Sequence, residues 1–161
     1  MRTTLCPREP AWKVRLEMSR RAGFAPGELW TLQNLLVPAA TERRVIGQQR
    51  VLQGVTLKCV DFRGARAPLD STATMSGTPS LQVKALGWHP GLRLTLVSVT
   101  DQLGRKVESA GSSYDTSGNF GFGLRPAPGA RSLTVTLAVS PSRYVEFLVH
   151  PSLPVGASPV R

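Results

Sequence analysis

At 161 residues the chain has the length of one domain, enough to bury about two-thirds of its unfolded surface without disulfides or metals. Its 15 Gly and 13 Pro mark frequent turns, favouring short strands over long helices, and no run nears the roughly 18 apolar residues of a membrane-spanning helix. The net charge of +10 comes from 16 Arg and 4 Lys against 10 acids; it can attract nucleic acid or another polyanion, yet it is scattered and lacks the clustered footprint of a phosphate-binding surface.

Residues 1–10 read as a flexible N-terminus. A charge at Arg2 is followed by no apolar h-region, so the segment is not a secretory signal as written. An exported form needs a start further upstream or a longer parent chain. Cys6 lies in this Pro-flanked segment, whereas Cys59 alternates with Leu57 and Val55 and reads as a small apolar core residue. Two cysteines permit one disulfide but do not identify the redox compartment.

The stretch AWKVRLEM (11–18) places Trp12, Val14, Leu16 and Met18 on one side and Lys13, Arg15 and Glu17 on the other. Period-two alternation of this kind predicts a half-buried strand, with Trp12 in the core. A Gly-Phe-Ala-Pro-Gly turn follows. In LWTLQNLLVP (29–38), Pro26 and Glu28 upstream suit a helix start, but Trp30, Thr31 and Val37-Pro38 favour a strand. Residues 39–50 read as a polar connection and GVTLKCVDF (54–62) as a strand. The Gly-, Pro- and Ser-rich tract spanning 63–80 is a long loop, the one place for a domain boundary.

From residue 81 the alternation is regular. LQVKALGW (81–88), LRLTLVSVT (92–100), RKVES (105–109), NFGFGL (119–124), RSLTVTLAV (131–139) and SRYVEFLVHP (142–151) read as six strands separated by turns. In NFGFGL the glycines opposite Phe120 and Phe122 allow a neighbour to approach closely. The expected fold is all-β, an antiparallel immunoglobulin-like sandwich of about seven to nine strands. One domain spans 11–151, and 152–161 form a flexible tail.

No motif for nucleophilic, metal or phosphate chemistry occurs. His89 falls in a Trp-His-Pro-Gly turn and His150 at a strand end, both poor places for a general base. Convergence of His89, Asp101 and Asp115 would be needed for an enzyme. Tyr114 to Asn119 offers alternating oxygens but no closing bidentate acid, so it reads as a hairpin turn rather than a calcium loop. The remaining acids, Asp61, Asp70 and Glu108 among them, are dispersed. The expectation is therefore no catalytic residue, no metal and no cofactor.

Trp30, Trp88 and Tyr144 are candidates for an exposed aromatic platform for sugars or single-stranded nucleic acid. Trp88 shares parity with Gln82 and Lys84, and Tyr144 with Glu146, which puts both on polar sides of their strands. Trp88 and Tyr144 are accordingly the predicted ligand contacts.

Thr100, Asp101, Gly104 and Arg105, then Pro128-Gly129-Ala130, Leu133, Val135 and Thr136, and Val145-Glu146-Phe147 form a pattern across residues 81–151. It resembles a module of uncharacterised bacterial proteins with immunoglobulin-like or fibronectin-like sandwiches. The resemblance implies the fold and an extracytoplasmic setting, and no ligand. The reading that follows is a non-enzymatic binding or structural module with a protein partner or a larger parent assembly, for which strand-edge pairing is a plausible mode. Binding of nucleic acid or another polyanion is the alternative.

Overall fold

The computed structural model describes residues 11–20, 22–65 and 77–150. The N-terminal segment 1–10 with Cys6, most of the 63–80 loop with Asp70, and the tail from 151 onward lie outside the described residues. Ten strands form two antiparallel sheets. In the first, β10 (Ser132–Val149) is central, flanked by β2 (Leu29–Leu36) and β7 (Leu92–Asp101). The second runs β5 (Val55–Arg63), β6 (Ser80–Leu86), β9 (Asn119–Arg125) and β8 (Glu108–Tyr114), with β3 (Arg43–Val45) and β4 (Gln49–Leu52) along the outer edge of β5.

Alternation explains the core. Leu32, Leu133, Val135, Leu137 and Val139 of the first sheet and Val55, Leu57, Cys59, Leu81, Val83 and Leu124 of the second are all almost wholly buried. They meet as the inner faces of a sandwich. Trp30, with 6% of its surface exposed, belongs to this core and not to a surface platform.

Segment 39–50 is not a plain connection, because β3 and β4 lie within it. Gly47 donates to the Cys59 carbonyl and Cys59 to that of Gln48, so the two pieces form one kinked edge. Its arginines and glutamines hid it, since edge strands carry charge to discourage pairing with other chains. Gln53 and Gly54, both at positive φ, close the β4–β5 hairpin.

The strand expected at 105–109 instead begins at Glu108. The Asp101 carboxylate accepts the backbone N–H groups of Leu103 and Arg105 and the Arg105 Nε–H, pinning a tight turn that delays it. The Thr-Asp-x-x-Gly-Arg pattern is thus a turn device, with Gly104 at φ 74. The helix-start signal at Pro26 and Glu28 yields only a single 3-10 turn before β2.

Residues 131–139 and 142–151, read as two strands, are one strand of 18 residues. Pro141 lies where β10 changes partners: β2 pairs it up to Ala138, and β1 (Trp12–Ser19) takes over at Ser142. On that flank Pro141 faces a gap, so its missing N–H breaks no ladder bond there. Between β1 and β2, the buried Glu28 carboxylate ties the connection down by accepting the Ala25 N–H and pairing with Arg20.

Candidate functional site

β1 and the second half of β10 leave the sandwich as a two-stranded ribbon. Its register runs from Trp12↔Val149 to Ser19↔Ser142. Residues directly opposite share a face, so Trp12, Val14, Leu16 and Met18 lie with Val149, Phe147, Val145 and Arg143. Leu16, Met18, Val145 and Phe147 are all exposed, Met18 at 60%. Trp12 is only half-buried and lies outside the core, contrary to expectation, because no second layer covers this face among the described residues.

Apart from the exposed Leu148 opposite Lys13, the other face is bound to itself. Lys13 Nζ lies 2.6 Å from the Glu146 carboxylate and Arg15 3.7 Å from it. The Arg15 guanidinium also covers one side of the Tyr144 ring at 3.8 Å. At the root, Glu17 accepts from Ser142 Oγ at 2.6 Å and from Arg93 at 2.8 Å, fastening the ribbon to β7. The Ser142 bond, with help from Arg93 and against a partial burial effect, holds the Glu17 carboxyl below the usual range.

Beside that root is a cleft of about 390 Å³, within the roughly 300–1,000 Å³ range of small-molecule sites. Trp88 and Tyr144, separately predicted as ligand contacts, both line it, joined by Tyr114, Phe120, Glu17 and Arg93. Trp88 meets Phe120 edge-on with centroids 4.8 Å apart, and Tyr114 stacks on Phe120 at 6.1 Å. Tyr114 is 78% exposed.

Two glycines build the cleft. Gly87, at φ 78, ends β6 and turns the chain so that Trp88 departs from the sheet. The Gly118 carbonyl accepts the Ala85 N–H at 2.8 Å, holding the β8–β9 turn against β6. A Cβ there would meet the Ala85 carbonyl oxygen at 2.6 Å, so only glycine permits this approach. Asp115 shapes the turn from within, accepting the N–H groups of Ser117 and Asn119 and the Asn119 side-chain amide. Those bonds, the Asn119 side chain first, keep its carboxyl below the usual range. The segment is the hairpin turn its composition predicted.

His89 and Asp115 both line the cleft. Asp101 stands at the far end of ten-residue β7, roughly 30 Å from Leu92 at the strand rise. The three residues an enzyme would need together are therefore not together. His89 Nδ1 accepts the Gly91 N–H within its own turn. Among the described residues no group of three or more His, Cys, Asp or Glu gathers as a metal site, and no helix is long and apolar enough to cross a membrane.

Eight described cations lie beside carboxylates. Arg43 and Arg63 flank the buried Asp61 at 2.7 and 2.8 Å. Burial would raise the Asp61 pKa, but the bonds from Arg63 and Arg43 outweigh it and lower it. Both members of the Arg43-Arg44 doublet are thus engaged by acids. A second, more open hollow of about 600 Å³ lies between β2 and β3, without exposed aromatic rings. Parity placed Tyr144 on the polar face of the ribbon, but Trp88 lies beyond the end of β6 and is half-buried against the core, so its parity with Gln82 and Lys84 does not place it on an exposed strand face as expected. Tyr114, Glu17 and Arg93 reach the cleft through the sheet pairing, which their local sequence does not encode.

Comparisons with protein-family models, curated proteins and solved structures find no match to this chain.

Proposed function

We propose that the chain is a non-enzymatic interaction module that docks through the apolar face of the β1–β10 ribbon. One observation carries this reading: the two faces of the ribbon are treated oppositely. Every charged residue of the polar face has an internal partner, whereas Leu16, Met18, Val145 and Phe147 on the other face stand in solvent. A two-stranded ribbon alone is marginal in water, and contiguous exposed apolar surface marks an interaction site.

A second copy of the chain is the occupant this face selects. Arg143 is its one charge, placed at the root opposite Met18. Two ribbons stacked antiparallel about a two-fold axis keep the two Arg143 residues at opposite ends and bring apolar side chains together. Eight register pairs give a face on the order of 300 Å² before side-chain relief is counted. Two such faces bury on the order of 600–1,000 Å², short of the roughly 1,200 Å² of a standard stable interface. The dimer is therefore of the weak, reversible class.

Sedimentation velocity from 10 µM to 1 mM tests this. Average mass should rise with concentration, and Leu16→Asp or Phe147→Asp should keep the protein monomeric without lowering its melting temperature. A wild-type chain that stays monomeric at 1 mM would refute docking between copies. The polyanion alternative is weaker, because eight of the described cations are tied to six carboxylates, which fixes their side chains within the protein instead of leaving them free for a phosphate chain.

A further inference from the structure

We infer that the cleft beside the ribbon root is a binding site for a neutral saccharide. It stands independently of the docking proposal, because Glu17 and Tyr144 lie on the polar face of the ribbon and leave the cleft open when the apolar face is covered.

Three features select this chemistry. The first is the aromatic surface. Tyr114, Trp88 and Tyr144 line one cleft, and ring faces of this kind receive the C–H faces of a pyranose while their polar ends hydrogen-bond. Tyr114 is stacked on Phe120 and so held in place, yet is 78% exposed. A large ring, fixed and uncovered, is a prepared contact.

The second is the residual hydrogen-bonding capacity. Each Glu17 oxygen already accepts one bond, from Ser142 or Arg93, and a carboxylate oxygen has a second lone pair to offer. Asp115 Oδ1 accepts two backbone N–H groups, while Oδ2 accepts only the Asn119 amide. Arg93 has further N–H groups, and Ser112, on the same face of β8 as Tyr114, adds a hydroxyl to the wall. Paired donors and acceptors at fixed positions match vicinal hydroxyl groups, each of which both donates and accepts.

The third is charge. Among the lining residues two carboxylates stand against one guanidinium, and both carboxyls are held below their ordinary pKa by bonds inside the protein. The lining offers a phosphodiester chain one guanidinium against two carboxylates and no cluster of cations, which sets single-stranded nucleic acid aside even though its bases stack on aromatic rings. A cation finds Glu17 already engaged by Arg93. A neutral ligand rich in hydroxyls requires no charge from the site.

Saturation-transfer NMR with maltotriose, cellotriose and chitotriose as probes, run beside a proline-rich peptide and oligo-dT, tests the inference. Transfer to ring C–H protons of at least one trisaccharide is expected, with affinity reduced three- to ten-fold by Tyr114→Ala and by Tyr144→Ala, the weight of one ring contact. Both rings are exposed, so thermal melts should show these variants folded. Trp88→Phe should abolish the ligand-induced change in tryptophan emission while Trp12 and Trp30 still report folding. Absence of transfer from all three sugars, transfer unchanged in both tyrosine variants, or competition by the peptide or oligo-dT without sugar binding would each overturn it.

Discussion

Replacing Gly118 with alanine separates two costs that the β8–β9 turn imposes. Gly118 has φ +78, and placing alanine in left-handed backbone costs about 1–2 kcal/mol. Its Cβ would also lie 2.6 Å from the Ala85 carbonyl oxygen, when real Cβ atoms essentially never approach within 3.0 Å. The turn must retreat, and the 2.8 Å bond from the Ala85 N–H to the Gly118 carbonyl is the contact it gives up, worth about 1 kcal/mol. The expected loss is about 2–3 kcal/mol. Gly129→Ala is the matched control: its φ is +81 and no atom lies within 4 Å of the added methyl, so it carries the backbone cost alone. Urea unfolding followed by tryptophan emission and far-UV circular dichroism should place the Gly118→Ala midpoint roughly 0.5 M below that of Gly129→Ala, at a slope of about 2 kcal/mol/M. Coincident midpoints would mean that close approach of the turn to β6 contributes nothing, and the account of how the cleft is held would fail.

The pKa shifts set an acid limit. Glu17, Asp61, Asp101, Asp115 and Glu146 all have carboxyls lowered by their native bonds. Their stabilisation is complete above the ordinary carboxylate pKa of about 4 and is lost as pH falls through the lower folded values. The melting temperature should hold from pH 7 to 5 and drop below 4, less steeply in Asp61→Asn; a flat profile down to pH 2.5 would contradict the pairing. Cys59 is wholly buried, and burial, aided by the charge of Asp61, pushes its thiol up to about 12. In a Cys6→Ser background a thiol reagent should therefore label Cys59 only at the rate of global unfolding, and rapid labelling of the folded protein would show the core to be open.

Much of the sandwich is legible in two-residue alternation, because an inward-facing residue in a half-buried strand is apolar for a simple reason of transfer from water. Leu81, Val83, Leu133, Val135 and Leu137 follow that logic. The same logic misplaced Trp12: alternation says that a strand has an apolar face but not whether the rest of the chain covers it. The short edges β3 and β4 lacked the signal altogether, since Arg43, Arg44, Gln49 and Arg50 satisfy the needs of an exposed edge rather than of a core. Pro141 suggested a break, and only pairing shows that its neighbour on one flank is missing at that point. In the cleft, the parity of Trp88 misled, because β6 ends at Leu86 and the ring packs half-buried against the core, while that of Tyr144 was readable. Their meeting was not, because it depends on β6 and β10 lying in different sheets and on a turn held close by Gly118.

The pairing of Trp12 with Val149 carries a mechanical consequence. The backbone enters the ribbon and leaves it at adjacent positions, about 5 Å apart, so tension applied through the two ends acts across the ladder rather than along it. Such a load falls on one register pair at a time and peels the strands from the tip, instead of straining all eight together as a pull along their length would. Peeling advances toward Ser19 and Ser142, where Glu17 is clasped by both Ser142 and Arg93, and the sandwich beyond is shielded from the force until that clasp opens. The ribbon is in this sense a compliant stem on a stiff head, able to lengthen under tension and rewind while the core stays folded.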